Sequence, residues 1–286
     1  MTSDVYRILR PLRQDTAVIF ASPHSGRDYD PAFVAQTTLD AHSIRSSEDA
    51  YIDQLFGAAP LFGAPLMAAN VPRAFIDMNR APDELDPSVI EGIPRAPHNP
   101  RVASGLGVIP RVVAGGRTIY RGKLSLAEAK ARIDGYWHPY HRALRELIET
   151  THARFGEAVL IDCHSMPREA IEGHSRSGAV RPDVVLGDRF GAAAGREVMD
   201  RVESAFASAG LRVARNAPFA GAFIAQSYGR PAGRRHVVQV EIDRSLYLDE
   251  ARIELLPDYP QFRALLSGVI GEIAGVGRAA LPMAAE

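Results

Sequence analysis

An α/β fold is what this sequence predicts: one domain with a mixed, mostly parallel sheet flanked by helices on both faces. Three observations predict it. Short apolar runs of strand character recur at 17–21, 66–69, 73–77, 158–162, 183–187, 211–214 and 237–242. Segments of helical periodicity lie between several of them, the alternation that builds a sheet covered on both sides. No linker, internal repeat or low-complexity tract divides the 286 residues, so 1–286 reads as a single domain.

The first run, AVIFASPHSG at 17–26, passes from Val18, Ile19 and Phe20 to small and turn-forming residues, with His24 at the lip. AVLIDCHS at 158–165 repeats the design and ends in Asp162 and His164. Ligands in open α/β sheets bind at the carboxyl ends of strands, so both histidines are placed to enter a site. Among helical segments, 49–62 carries Ala50, Ile52, Leu55, Phe56, Ala59 and Phe62 on roughly one face. The clearest helix is 125–155. Ser125 and Glu128 form a capping box, Leu126 through Ile148 keep helical spacing, and Pro139 is expected to kink or break it. Residues 189–209 and 258–275 read as further helices. The segment 81–123 holds prolines at 82, 87, 94, 97, 100 and 110 and shows no periodicity. So long an irregular connection is disordered or functional, and a substrate loop is the expectation.

Composition narrows the function. A net charge of −1 supplies no field for nucleic acid or an anionic membrane. The lone Cys163 excludes an internal disulfide and a cysteine-rich zinc site. No apolar run approaches the ~20 residues of a membrane span. The N-terminal stretch lacks the apolar core of a secretory signal. A soluble cytoplasmic protein acting on a small molecule is the expectation.

The chemistry-bearing residues fall in four places. Hydrolytic zinc is commonly held by two histidines and one carboxylate with a position left open, and His24 and His164 are the best-placed imidazoles. A carboxylate is offered by SSEDAYID at 46–53, where Glu48 or Asp49 serves equally by spacing and either also suits a helix start. Asp162, two residues before His164, is placed to hold an imidazole. In VPRAFIDMNRAP at 71–82, Arg73, Asp77, Asn79 and Arg80 gather after an expected strand at 73–77. There Arg80 with the Asn79 amide suits a carboxylate, although an Arg–Asp structural pair would look the same. In HVVQVEIDRSLY at 236–247, Glu241 interrupts an apolar strand. Such a carboxylate is costly unless paired or functional, and a tuned one relays a proton from water to a leaving amine. Cys163 beside His164 is poorly arranged as a nucleophile pair, because neighbours on a strand face opposite ways.

Together PHSG, SEDAYID, DMNR, DCHS and QVEIDRSLY resemble the N-formylglutamate amidohydrolase (N-formylglutamate deformylase) family over about 17–250. That resemblance implies a fold like the zinc carboxypeptidases and aspartoacylases. It implies Zn2+ on His24, His164 and a carboxylate between them, with Asp49 favoured over Glu48. It further implies Asn79 and Arg80 on the substrate carboxylate, Glu241 as general base and Arg73 polarising the scissile carbonyl. Arg95, Arg101, Arg111 and Arg121 are candidates for a second carboxylate. One departure stands out: carboxypeptidases place their acidic ligand three residues after the first histidine, where this chain has Arg27. The expected reaction is zinc-dependent hydrolysis of N-formyl-L-glutamate to formate and glutamate. The alternatives are another N-acyl-amino-acid deacylase, a carboxypeptidase-like peptidase, or a non-catalytic binder of acidic amino acids.

Overall fold

The computed structural model describes residues 5–94, 99–172 and 181–277. Among them, β1 (Tyr6–Leu9), β2 (Val18–Ser22), β3 (Leu66–Ala69), β4 (Ala158–Met166), β5 (Val184–Gly187), β6 (Val213–Arg215) and β7 (Arg235–Asp243) form one sheet. Their order is β1-β3-β2-β4-β7-β5-β6. The central strands β3, β2, β4 and β7 run parallel. β1 and β5 join them antiparallel, and β6 runs parallel to β5. A short hairpin, β8 (Leu248–Asp249) with β9 (Glu254–Leu255), lies apart.

Helices cover both faces: α1 (Pro31–Gln36), α2 (Ile52–Leu55), α3 (Pro100–Ala103), α4 (Leu126–Arg132), α5 (His138–Phe155), α6 (Arg168–Glu172), α7 (Arg196–Ser208), α8 (Phe223–Tyr228) and α9 (Tyr259–Val276). Strand alternation sorts the core. Val18, Phe20, Ile161, Cys163, Val238 and Val240 pack with Val202 and Phe206 of α7 and Ile270 and Ile273 of α9. Ile19, Ala21, Leu160 and Val237 face the other way, onto Trp137, Tyr140, Leu144 and Ile148. On this second face the apolar residues of β4 and β7 give way, toward the strands' carboxyl ends, to Asp162, His164, Gln239 and Glu241. The site opens there.

Several expected elements take other forms. The run 73–77 is not a strand but a set of turns after Pro72, whose apolar residues divide between two packings: Ile76 joins the α5-side core, Ala74 a smaller cluster around Phe33, and Phe75 packs against both. The continuous helix expected at 49–62 is broken. Tyr51 takes a left-handed conformation (φ 63°), α2 is one turn, and Pro60 starts a separate 3₁₀ turn at Ala59–Phe62. The helix at 125–155 continues past Pro139 through a π turn at Ile133–Trp137, where His138 N–H reaches back five residues to Ile133 C=O. The proline's missing N–H thus falls where the hydrogen-bond register is already changing. Helix α7 begins only at Arg196. The segment 81–123 is irregular but anchored, with Val89, Ile90, Val108 and Ile109 buried in the core. Arg95 and His98 within it lie outside the described residues, as does His174.

Candidate metal centre

Three side chains from three places in the chain meet at the carboxyl ends of β2 and β4. His24 follows β2 in a turn that packs onto the segment after β3. A Cβ on Gly26 would lie 2.0 Å from Val71 O, so this close approach admits only glycine. Asp49 is drawn beside His24 by its backbone, whose N–H donates to His24 C=O at 3.0 Å. His164 projects from β4 on the same face as Asp162. One donor atom each from His24, Asp49 and His164 lies within 4.8 Å of the others, and all three residues are buried. The two rings sit with centroids 4.8 Å apart.

The far side of each ring is held by a carboxylate. His24 Nε2 is 2.7 Å from Asp77 Oδ1, and His164 Nε2 is 3.0 Å from Asp162 Oδ1. With each Nε2–H given to its far carboxylate, the two Nδ1 lone pairs are left for a cation shared with Asp49. Asp49 Oδ2 lies 2.9 Å from His164 Nδ1 and 3.3 Å from His24 Nδ1. His24 Nδ1 is a buried nitrogen without a hydrogen-bond partner. Lone pairs converging on a buried carboxylate repel unless a positive charge lies among them. Burial lowers the affinity of His164 for a proton, yet Asp162 and Asp49 hold the ring well above its usual range. Burial likewise raises the Asp49 carboxyl, but its neighbours His164 and His24 hold it well below the usual carboxylate range, so negative charge is favoured there. The residues present fit a bound cation with two nitrogen ligands and one oxygen ligand.

Asp49, not Glu48, faces this centre. Glu48 turns away and is held by the Tyr29 hydroxyl at 2.7 Å and by Arg45 at 3.0 Å. The other oxygen of Asp49 accepts from Arg244 Nη2 at 3.0 Å and from Ser165 Oγ at 3.3 Å. Arg244 also donates through Nε to Ser165 Oγ at 3.0 Å. The sequence reading missed Arg244 and Ser165. Their signal was present in the order Glu241-Ile-Asp-Arg244, which puts a cation just past the strand that carries Glu241.

Glu241 pairs in register with His164 across β4 and β7, and Gln239 with Asp162, so all four side chains share one face. Gln239 Nε2 donates to Glu241 Oε1 at 2.9 Å, while its own Oε1 accepts from Ala222 N–H at 3.1 Å. Gly187 lets that loop close over the sheet, since a Cβ there would lie 2.6 Å from Ala220 C. Burial pushes the Glu241 carboxyl up to about 7, with His164 pulling it back down and Asp49 pushing it further up.

These groups line a cavity of about 330 Å³ together with Arg73, Asn79, Arg80, Arg101 and Arg244. Arg73 donates to Asp77 Oδ2 at 2.9 Å. Asn79 is buried and largely committed: its Oδ1 accepts from Ile224 N–H at 2.7 Å, and its Nδ2 is 3.3 Å from Asp162 and 3.1 Å from His164 Nε2. Arg80 is buried with backbone carbonyls as its hydrogen-bond acceptors, Leu106 O at 2.9 Å and Asn79 O at 2.8 Å. Burial pushes its guanidinium below its ordinary value, and the nearby charges of Arg73 and Arg101 add to that.

The turn carrying Asp77, Asn79 and Arg80 is fixed from behind by one helical segment. Arg132 reaches Phe75 O at 3.3 Å, Trp137 Nε1 donates to Arg80 O at 2.9 Å, and His141 Nε2 donates to Met78 O at 2.8 Å. The π turn between Arg132 and His141 sets the register that aims these side chains at successive carbonyls. Burial pushes His141 down to about 3, so the ring is neutral, with Nδ1 accepting from the Tyr228 hydroxyl at 2.8 Å. Cys163 lies across the sheet from His164, among the α7 and α9 side chains, and burial raises its thiol well above the usual range.

The profile of a family described as N-formylglutamate amidohydrolase matches residues 16–248. An N-formylglutamate deformylase of Pseudomonas aeruginosa is 31% identical over 237 residues, 82% of each chain. One from Pseudomonas putida is 30% identical over 236 residues, again 82% of each. The crystal structure of an N-formylglutamate amidohydrolase from Ralstonia eutropha JMP134 superposes with a TM-score of 0.89 at 35% identity, covering 96% of this chain and 98% of the other.

Proposed function

Because the chain belongs to the N-formylglutamate amidohydrolase family, we propose that it hydrolyses N-formyl-L-glutamate to formate and L-glutamate with zinc held by His24, Asp49 and His164. The observation that carries the reading is the convergence of two imidazole nitrogens and a buried carboxylate, with Glu241 paired in register beside His164. Zinc at that position supplies a Lewis acid that polarises a carbonyl and makes water acidic near neutral pH.

The protein's own groups do the rest. Glu241, raised toward neutrality by burial, accepts a proton from the attacking water as a bond forms to the formyl carbon. It then delivers that proton to the departing nitrogen as the C–N bond breaks, so formate and a free amine leave. Gln239 fixes the carboxyl that does both. Arg73 stabilises the oxygen that becomes negative in the transition state, a role supported by its position in the cavity wall and its anchor on Asp77. Arg80 binds the amino-acid carboxylate, since a buried guanidinium with carbonyl partners gains most from an incoming anion. Asn79, next to it in the cavity wall, assists at the same carboxylate through its amide and holds Asp162 beside His164. The segment 81–123 serves as the substrate loop of a single domain. No described helix is long and apolar enough to cross a membrane, which accords with a cytoplasmic enzyme.

The test is a panel of N-formyl and N-acetyl amino acids assayed for acid release, with elemental analysis of the same protein. The reading expects formate from N-formylglutamate above all other substrates and loss of turnover on chelation. A preference for N-acetyl substrates or for peptides gives the function to a related deacylase or peptidase. Saturable binding without product would make the protein a binder.

A further inference from the structure

Among the described residues four arginines line the cavity, Arg73, Arg80, Arg101 and Arg244. Two are answered from within the protein. Arg244 pairs with Asp49 at 3.0 Å and Arg73 with Asp77 at 2.9 Å. The other two are answered only at a distance, Arg80 by Asp77 and Glu84 and Arg101 by Glu84. The carboxylate oxygen nearest Arg80, Glu84 Oε2, is 3.9 Å away, and burial pushes the Glu84 carboxyl up toward its neutral form. Arg101 forms no ion pair among the described residues. It stands exposed on α3, a short turn fixed at its start by the Asn99 side chain, which accepts from Arg101 N–H at 2.9 Å.

Arg101 and Arg80 also repel each other. Two like charges facing one cavity, with no carboxylate in hydrogen-bond contact among the described residues, are an unfavourable arrangement until an anion enters. A dicarboxylate supplies two negative charges for these two positive ones. The buried Arg80 sits beside the turn that holds Asp77 and so lies toward the reacting end, while Arg101 lies at the open end. Among the described residues, the other arginines of the same segment do not compete. Arg111 is tied to Asp86 at 2.9 Å and to Ala103 O at 3.1 Å, and Arg121 does not line the cavity.

We infer that Arg101 is the specificity-determining residue of this site. It binds the side-chain carboxylate of the substrate and so selects dicarboxylic over monocarboxylic N-acyl amino acids. The inference rests on the hydrolytic reading for its substrate and on the charge pattern for its residue. Arg101 touches no reacting atom, so its removal acts on KM rather than kcat.

N-formyl-L-glutamine has the shape of N-formyl-L-glutamate without the distal charge, and the two are the probes. Turnover of each is measured for wild type, Arg101→Met and Arg101→Lys, and binding of L-glutamate and L-glutamine is measured by calorimetry. Wild type is expected to prefer the glutamate member of each pair. Arg101→Met is expected to narrow that preference about tenfold or more, through KM, and Arg101→Lys to restore part of it. The inference is overturned if Arg101→Met keeps the wild-type preference, if it weakens both members of a pair equally, or if wild type shows no preference. Should no formate be released while calorimetry shows the preference and its loss, the hydrolytic reading falls and the role of Arg101 stands.

Discussion

The cavity has two halves of opposite character. One half is acidic and built on strand ends: Asp162, His164 and Glu241 project from β4 and β7, and the turns that carry His24, Asp49 and Asp77 pack against them. The other half is loop-borne and basic, with Arg80 and Arg101 carried by the irregular connection between β3 and α4. The first half is over-determined, each imidazole being held on its far side by a carboxylate and Glu241 by Gln239. The second rests on backbone carbonyls and on three side chains of one helical segment. Rigid sheet ends suit the chemistry, which tolerates little displacement, and loops suit the choice of substrate.

If that division is right, substitutions in the two halves differ in kind as well as in size. Glu241→Gln removes the proton acceptor and keeps its shape. A fall in kcat of roughly 10²- to 10⁴-fold with little change in KM is expected, and steady-state formate release reads it. A variant with near wild-type kcat would remove Glu241 from the chemistry.

Arg80→Met strikes the basic half. KM for N-formylglutamate should rise ~10- to 100-fold with a smaller change in kcat. An effect confined to kcat would move Arg80 to the acidic half's task. Trp137→Phe tests the support behind it by deleting the donor to Arg80 O. A KM increase of roughly fivefold is expected, the size of one net hydrogen bond, with kcat nearly unchanged. Loss of stability without any KM change would make Trp137 purely a core residue.

The smallest effect concerns His141, which stays neutral in the fold down to about pH 3 but protonates near 6.5 when unfolded. The unfolded chain therefore binds more protons between these values. The stability it contributes is complete above about 6.5 and is lost progressively as pH falls toward 3. From pH 6.5 to 5 this one group costs about 2 kcal/mol. Urea midpoints across that range should fall less steeply in His141→Gln, whose amide still reaches for Met78 O but does not titrate. Parallel profiles would remove His141 from the acid response.

The strand-borne half was the legible one. A histidine directly after an apolar run announces a strand end, and Glu241 announces itself by its cost within a buried strand. The register that sets Glu241 beside His164 is a tertiary fact that no local pattern carries. Spacing left Glu48 and Asp49 equal, because both occupy one acidic turn. Only the placement of Arg45 and Tyr29 gives Glu48 another task. The run at 73–77 misled for a physical reason: its apolar residues serve two cores from a set of turns, which imitates a strand covered on both faces. β1 was missed because its residues are half-buried at the sheet edge. Arg101 was one candidate among four, since its meaning lies in the lack of an ion pair among the described residues, which only coordinates reveal.

The account depends on one cation joining His24, Asp49 and His164, and the most direct test is zinc stoichiometry in the purified wild-type protein and in Asp49→Ala, with formate release from the same samples. One zinc per chain in wild type, with both zinc and turnover lost in the variant, is the predicted result. Full turnover by metal-free wild type, or zinc retained at full occupancy in Asp49→Ala, would contradict it.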